Sequence, residues 1–167
     1  MSRPLRLLAE GALYHVVARG NAKRVIYDDD VDRHRFLTIL ETVVARYRIE
    51  CHAYCLMSNH YHAVIRTLEP NLSAAMQYLN SVYAQWWNKR HEKVGHVFQG
   101  RFKDQIVDKD QYLLALSRYV VMNPVRAGLV QHPEDWLWSS YRATSGACEV
   151  PPFLATSQTL SLFGVGT

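Results

Sequence analysis

The chain has 167 residues, of which 49% are hydrophobic. That is room for one domain with a core, and too much apolar content for disorder. Nineteen Lys and Arg against fifteen Asp and Glu leave a formal charge of +4, which permits a polyanionic partner without demanding one. No apolar run approaches the roughly 20 residues that cross a bilayer. The N-terminal MSRPLRLLAEGALYHV lacks the apolar stretch and small-residue cleavage site of a secretory signal. Cys51, Cys55 and Cys148 are an odd set without disulfide-scaffold spacing, expected as free thiols. A cytoplasmic protein, unattached to membranes, is expected.

Ala12 to Arg19, rich in Tyr and Val and closed by Gly20-Asn21, reads as a strand. A helix follows from about Asp30 to Tyr47, with Phe36, Leu37, Leu40, Val43, Val44 and Tyr47 on one stripe. A hairpin follows: Ile49 to Met57, a turn at Ser58-Asn59, then His60 to Arg66. A second helix runs from about Leu72 to His91, with Asn71 placed to cap it. A linker with two glycines leads to a strand from Phe102 to Val107. Asp108 and Gln111 have capping-box spacing and open a helix to about Met122. Asn123-Pro124 ends it, and a short helical turn covers Val125 to Val130. The order β-α-β-β-α-β-α implies an α+β, ferredoxin-like fold: an antiparallel or mixed sheet with helices mainly on one face. Residues 1–143 form the expected domain, and 144–167 a tail, packed or partly frayed.

Strand side chains alternate, so His60 and His62 point one way and Tyr61 the other. Two adjacent imidazoles can bind one divalent cation through neutral nitrogen lone pairs, although His-x-His also arises by chance on exposed sheet faces. In the late helix, Tyr119 and Asn123 stand four residues apart and share a face. A phenol is a poor nucleophile at neutral pH, but beside a cation that polarises a phosphodiester it can attack phosphorus. The Asn123 amide oxygen offers a third ligand. The plainer alternative makes Tyr119 a half-buried aromatic and Asn123 a helix-terminal cap.

The His60-Tyr61-His62 strand and the helix reading Arg118-Tyr119-Val120-Val121-Met122-Asn123-Pro124-Val125-Arg126-Ala127-Gly128 resemble the REP-associated tyrosine transposases. These are single-tyrosine members of the His-hydrophobic-His endonuclease superfamily, related to the transposases of the smallest insertion sequences. Ala18-Arg19-Gly20-Asn21, the run Asp28 to Phe36, Tyr54-Cys55-Leu56-Met57-Ser58-Asn59 and Gly100-Arg101-Phe102-Lys103 match as well, so the likeness spans residues 12 to 142. The resemblance implies Mg²⁺ or Mn²⁺ held by His60, His62 and Asn123, which stands where the insertion-sequence relatives carry a longer Gln. It implies that Tyr119 attacks single-stranded DNA, leaving a 5′-phosphotyrosine and a free 3′-hydroxyl, and that strands rejoin without a nucleotide cofactor. Hairpins of palindromic repeats are the implied substrate, and monomer and helix-swapped homodimer both occur among such enzymes.

Trp86, Lys89, Arg90, Lys93, Arg101 and Lys103 mix cations and rings that can meet phosphates and unpaired bases. A solvated helix end with Trp87 in the core is the bland counterpart. Arg3, Arg6, Lys23 and Arg24 form a second basic patch. Cys51, His52 and Cys55 invite a zinc site with His60 and His62, but Cys51 and Cys55 are expected on one strand face as buried apolar thiols. His15, His34 and His96 each offer a proton carrier or a further ligand, with packing or surface exposure the expected role of a lone His. The rival functions are a non-catalytic nucleic-acid-binding regulator on the same fold and a metal phosphodiesterase using water.

Overall fold

In the computed structural model, the residues described are 9–107 and 110–162. Arg3, Arg6 and Asp108 lie outside them. Strand β1 (Leu13–Arg19), helix α1 (Asp30–Tyr47), the hairpin of β2 (Ile49–Leu56) and β3 (His60–Thr67), helix α2 (Leu72–His91) and strand β4 (Lys103–Val107) follow in chain order. The sheet order is β2-β3-β1-β4, and every neighbouring pair is antiparallel. This is the ferredoxin-like arrangement the pattern of elements implied.

Asp29 accepts a hydrogen bond from the Asp32 backbone N–H, and acidic residues fill the first turn of α1, which suits a helix N-terminus. Phe36, Ile39, Leu40 and Val43 of α1 and Leu72, Met76, Leu79 and Tyr83 of α2 are buried. They pack on Tyr14, Val16 and Ala18 of β1 and on Tyr61, Ala63 and Ile65 of β3. Asn71 does not cap α2: its side-chain amide donates to the Tyr47 carbonyl, 2.8 Å away, and so ties α2 to the end of α1.

The opposite sheet face carries a smaller core of Leu13, Ala53, Cys55, Met57 and Val64. Helix α3 (Leu113–Val121) lies over it and contributes Leu113 and Val120. The long helices therefore share one face, and the tyrosine-bearing helix occupies the other. Its start is a 3-10 turn over Asp110–Tyr112 rather than α-helix. Asn123 and Pro124 do not only end α3. They open a short helix α4 (Asn123–Arg126), because Pro fits the first positions of a helix, where no N–H is needed.

One sequence expectation on β2 changes. A bulge between Cys51 and Ala53 shifts the register, so Cys51 joins the α1/α2 core and Cys55 the α3 core. An extra residue in a strand reverses the alternation downstream, and the two thiols point to opposite faces. Burial pushes both up to about 12, and on opposite faces they do not share a site. The residues after Trp136 pack along β2. Leu56 N–H donates to Trp138 O, Ser140 N–H to Tyr54 O and Ala155 N–H to Cys51 O, so the C-terminal segment satisfies the open edge of β2. Helix α5 (Tyr141–Thr144) follows, and Phe153 and Leu154 are buried.

Candidate active site

Strand register assembles the site. His62 pairs with Val17 and His60 with Arg19, so both imidazoles stand on the α3 face, while Tyr61 is buried on the other and donates to Asn80 Oδ1. Their ring centroids are 5.0 Å apart. His15, expected as a packing or surface residue, joins them: it lies two residues from Val17 on the same face, and its Nε2 is 2.9 Å from His62 Nδ1.

The hydrogen bonds select the nitrogens. His60 Nδ1 lies 2.7 Å from Asn59 Oδ1, and the Asn59 amide nitrogen donates to Lys23 O. An amide oxygen only accepts, so His60 Nδ1 carries the hydrogen and Nε2 the lone pair. His15 engages His62 Nδ1, so His62 Nε2 is the unengaged nitrogen, and it offers a lone pair in the tautomer whose Nδ1–H donates to His15 Nε2. Burial holds all three imidazoles neutral: it lowers His15, lowers His60 with help from Arg19, and takes His62 down to about 3, with His60 and His15 adding to the effect. Neutral, oriented, neighbouring imidazoles are a donor set that fits a divalent cation.

Helix α3 brings Tyr119 to this group. Its ring centroid is 5.9 Å from that of His15 and 6.4 Å from that of His62, nearly perpendicular to both. At 48% exposure the ring is open to solvent rather than sealed in the core. Asn123 behaves differently from its expected partner: its amide nitrogen donates to Val120 O at 3.0 Å and Tyr119 O at 3.4 Å. The side chain caps the end of α3, which leaves only its oxygen for a ligand. Arg126 was not singled out in sequence as a site residue, yet its guanidinium lies 4.0 Å from the Tyr119 ring centroid.

The basic surface is partly rearranged. Lys103 pairs with Val17 on β1, so it stands exposed on the same face as the imidazoles. Arg24 and Lys93, from the two separate sequence patches, line one cleft of about 370 Å³. The turn forming its wall reaches the site through the Asn59–Lys23 bond. Lys23, Lys89 and Arg101 are exposed. Two members have partners within the chain. Arg90 is held by Asp29 and Asp32 at 2.8 and 2.7 Å, and Trp86 is half-buried between Arg35 and Arg90. Asp28, Asp32 and His91 offer donor atoms within 4.8 Å of one another. The buried Asp32 carboxylate is already taken by Arg90, His91 and the Asp28 N–H, so this cluster is an ion network joining α1 to α2.

The family whose model matches this chain makes it a DNA-cleaving enzyme. The chain belongs to the transposase family described as Transposase IS200 like, which matches residues 9–123. It is a transposase-type single-stranded DNA endonuclease. A Haemophilus influenzae protein described as a REP-associated tyrosine transposase is 25% identical over 154 residues, covering 84% of this chain and 86% of the relative. Among solved structures, a REP-associated tyrosine transposase bound to a REP hairpin superposes with a TM-score of 0.74 at 16% identity, over 95% of this chain and 93% of that one. The tRNA(His) guanylyltransferase of Saccharomyces cerevisiae superposes with a TM-score of 0.51 at 9% identity, over 96% of this chain and 80% of that one. That likeness is one of fold, which many chemistries share. No helix among the described residues is long and apolar enough to cross a membrane.

Proposed function

We propose that this transposase nicks and rejoins single-stranded DNA at hairpins of palindromic repeats, with Tyr119 as nucleophile. The observation that carries the reading is the placement of a half-exposed phenol beside neutral imidazoles on an open sheet face. Tyr119 Oη forms a bond to phosphorus and the bond to the 3′ oxygen breaks, leaving a 5′-phosphotyrosine and a 3′-hydroxyl. The energy of the phosphodiester is kept in the new bond, so attack by a 3′-hydroxyl reverses the step without a nucleotide cofactor.

His60 and His62 would hold Mg²⁺ or Mn²⁺ through their Nε2 atoms. The ion, when bound, polarises the phosphate and stabilises the departing oxygen. Asn123 is the weakest member of the proposed ligand set, since its nitrogen is committed to the helix end. Lys103, on the imidazoles' face of the sheet, and Arg24 and Lys93 in their shared cleft would neutralise strand phosphates. The hairpin is proposed from the likeness to the enzyme solved on a REP hairpin.

Incubating the full chain with a 5′-labelled single-stranded hairpin DNA, with Mn²⁺ or with chelator, tests the reading. Site-specific cleavage that requires the metal is expected. Tight hairpin binding without any cleavage in either condition would favour the regulator instead.

A further inference from the structure

We propose that Arg126 is a catalytic residue of the strand cut, clamping the Tyr119 ring and supplying positive charge where the attacked phosphate gains negative charge. This rests on the reading of Tyr119 as the nucleophile.

The break between α3 and α4 makes the contact. In an unbroken helix, a residue seven positions after Tyr119 would sit about 10 Å further along the axis. Here Asn123-Pro124 starts a new helix, and Arg126 folds back. Its Nη2 donates to the Tyr119 carbonyl at 2.6 Å, and the guanidinium lies over the ring face, 4.0 Å from the centroid. The phenol is thereby bracketed by a cation on its ring and by the edges or faces of two neutral imidazoles, His15 and His62.

The cation is not there to balance a carboxylate. Arg33, Arg48, Arg66 and Arg90 each meet an acidic side chain. Arg126 is exposed, and no acidic side chain lies within ion-pair distance of it among the described residues. Its field reaches inward instead, contributing to the lowering of His62. A guanidinium stacked on an aromatic ring fixes that ring while keeping several N–H donors free.

The reaction needs both properties. A phosphodiester monoanion attacked by a phenolate oxygen passes through a five-coordinate, dianionic phosphorus. Tyr119 Oη gains the bond to phosphorus and gives its proton to solvent, and the departing 3′ oxygen takes a proton from solvent. Arg126 forms no covalent bond in this step. It contributes by holding the ring in line and by offering fixed donors to the charge that develops.

The test is the single-turnover rate of covalent adduct formation on hairpin DNA, measured beside Mn²⁺ affinity and hairpin affinity. Arg126→Gln is expected to slow adduct formation by about 10²-fold with both affinities unchanged. Arg126→Lys should fall between, and added guanidinium ion should restore part of the rate of Arg126→Ala. An Arg126→Gln rate equal to that of the parent chain overturns the proposal. So does a rate loss that guanidinium leaves untouched and that follows a matching loss of hairpin affinity. The reading of Tyr119 fails separately, if Tyr119→Phe still forms the adduct.

Discussion

His15 Nε2 lies 2.9 Å from His62 Nδ1, a hydrogen bond between two residues 47 positions apart. It fixes which His62 nitrogen faces outward, as Asn59 does for His60. Partners of this kind typically change metal affinity by about 10- to 100-fold. Replacing His15 with Ala should weaken Mn²⁺ binding by that order, while far-ultraviolet circular dichroism stays unchanged. Calorimetric titration with Mn²⁺ measures it, and equal affinities would remove His15 from this role.

The buried imidazoles make the metal-free protein acid-sensitive. His62 is held at about 3 against 6.5 in an unfolded chain. Between those values the unfolded state binds the extra proton, so stability falls as pH drops below 6.5. His62 alone contributes a slope of up to about 1.4 kcal/mol per pH unit, and His15 and His60 act in the same direction. Urea unfolding of the chelator-treated chain should therefore show lower stability at pH 5.5 than at 7.5. His62→Gln should flatten the dependence, and an unchanged slope in that variant would contradict the assignment.

Gly20 supports the site from below. A Cβ there would lie 2.1 Å from the Arg24 carbonyl oxygen and 3.0 Å from Ile26 Cγ2. Its backbone N–H donates to Asn59 O, and the turn it opens receives the Asn59 side chain at Lys23. Gly20→Ala must push this turn away from the residue that orients His60. A stability loss of about 1–3 kcal/mol and weaker Mn²⁺ binding are expected together. Thermal melts and calorimetry check them, and a variant with parental values in both would show that the turn does not support the site.

Much of the fold was legible because its signals are local. The α1 stripe around Phe36 and Leu40, the Ser58-Asn59 turn and the period-two strand of His60 to His62 each need only neighbours in sequence. Tyr119 was legible through its spacing to Asn123, although their shared face turned out to hold a nucleophile candidate and a helix cap. What stayed hidden depends on register or on distant partners. His15 enters the site only through the pairing of β1 with β3, and the bulge after Cys51 reverses which face each thiol takes. The ion pairing of Arg90 was hidden because sequence does not show that Asp29 and Asp32, about 60 positions away, meet it. Arg126 became visible only once Pro124 was seen to start a helix.

The most direct measurement is peptide mapping of the covalent complex formed when the full chain meets a labelled single-stranded hairpin in Mn²⁺. The account requires the nucleotide label on the peptide containing Tyr119, attached through a 5′ phosphate, and no covalent complex from a Tyr119→Phe variant that folds and binds the hairpin normally. A label on another residue, or cleavage that persists undiminished in Tyr119→Phe, would contradict it.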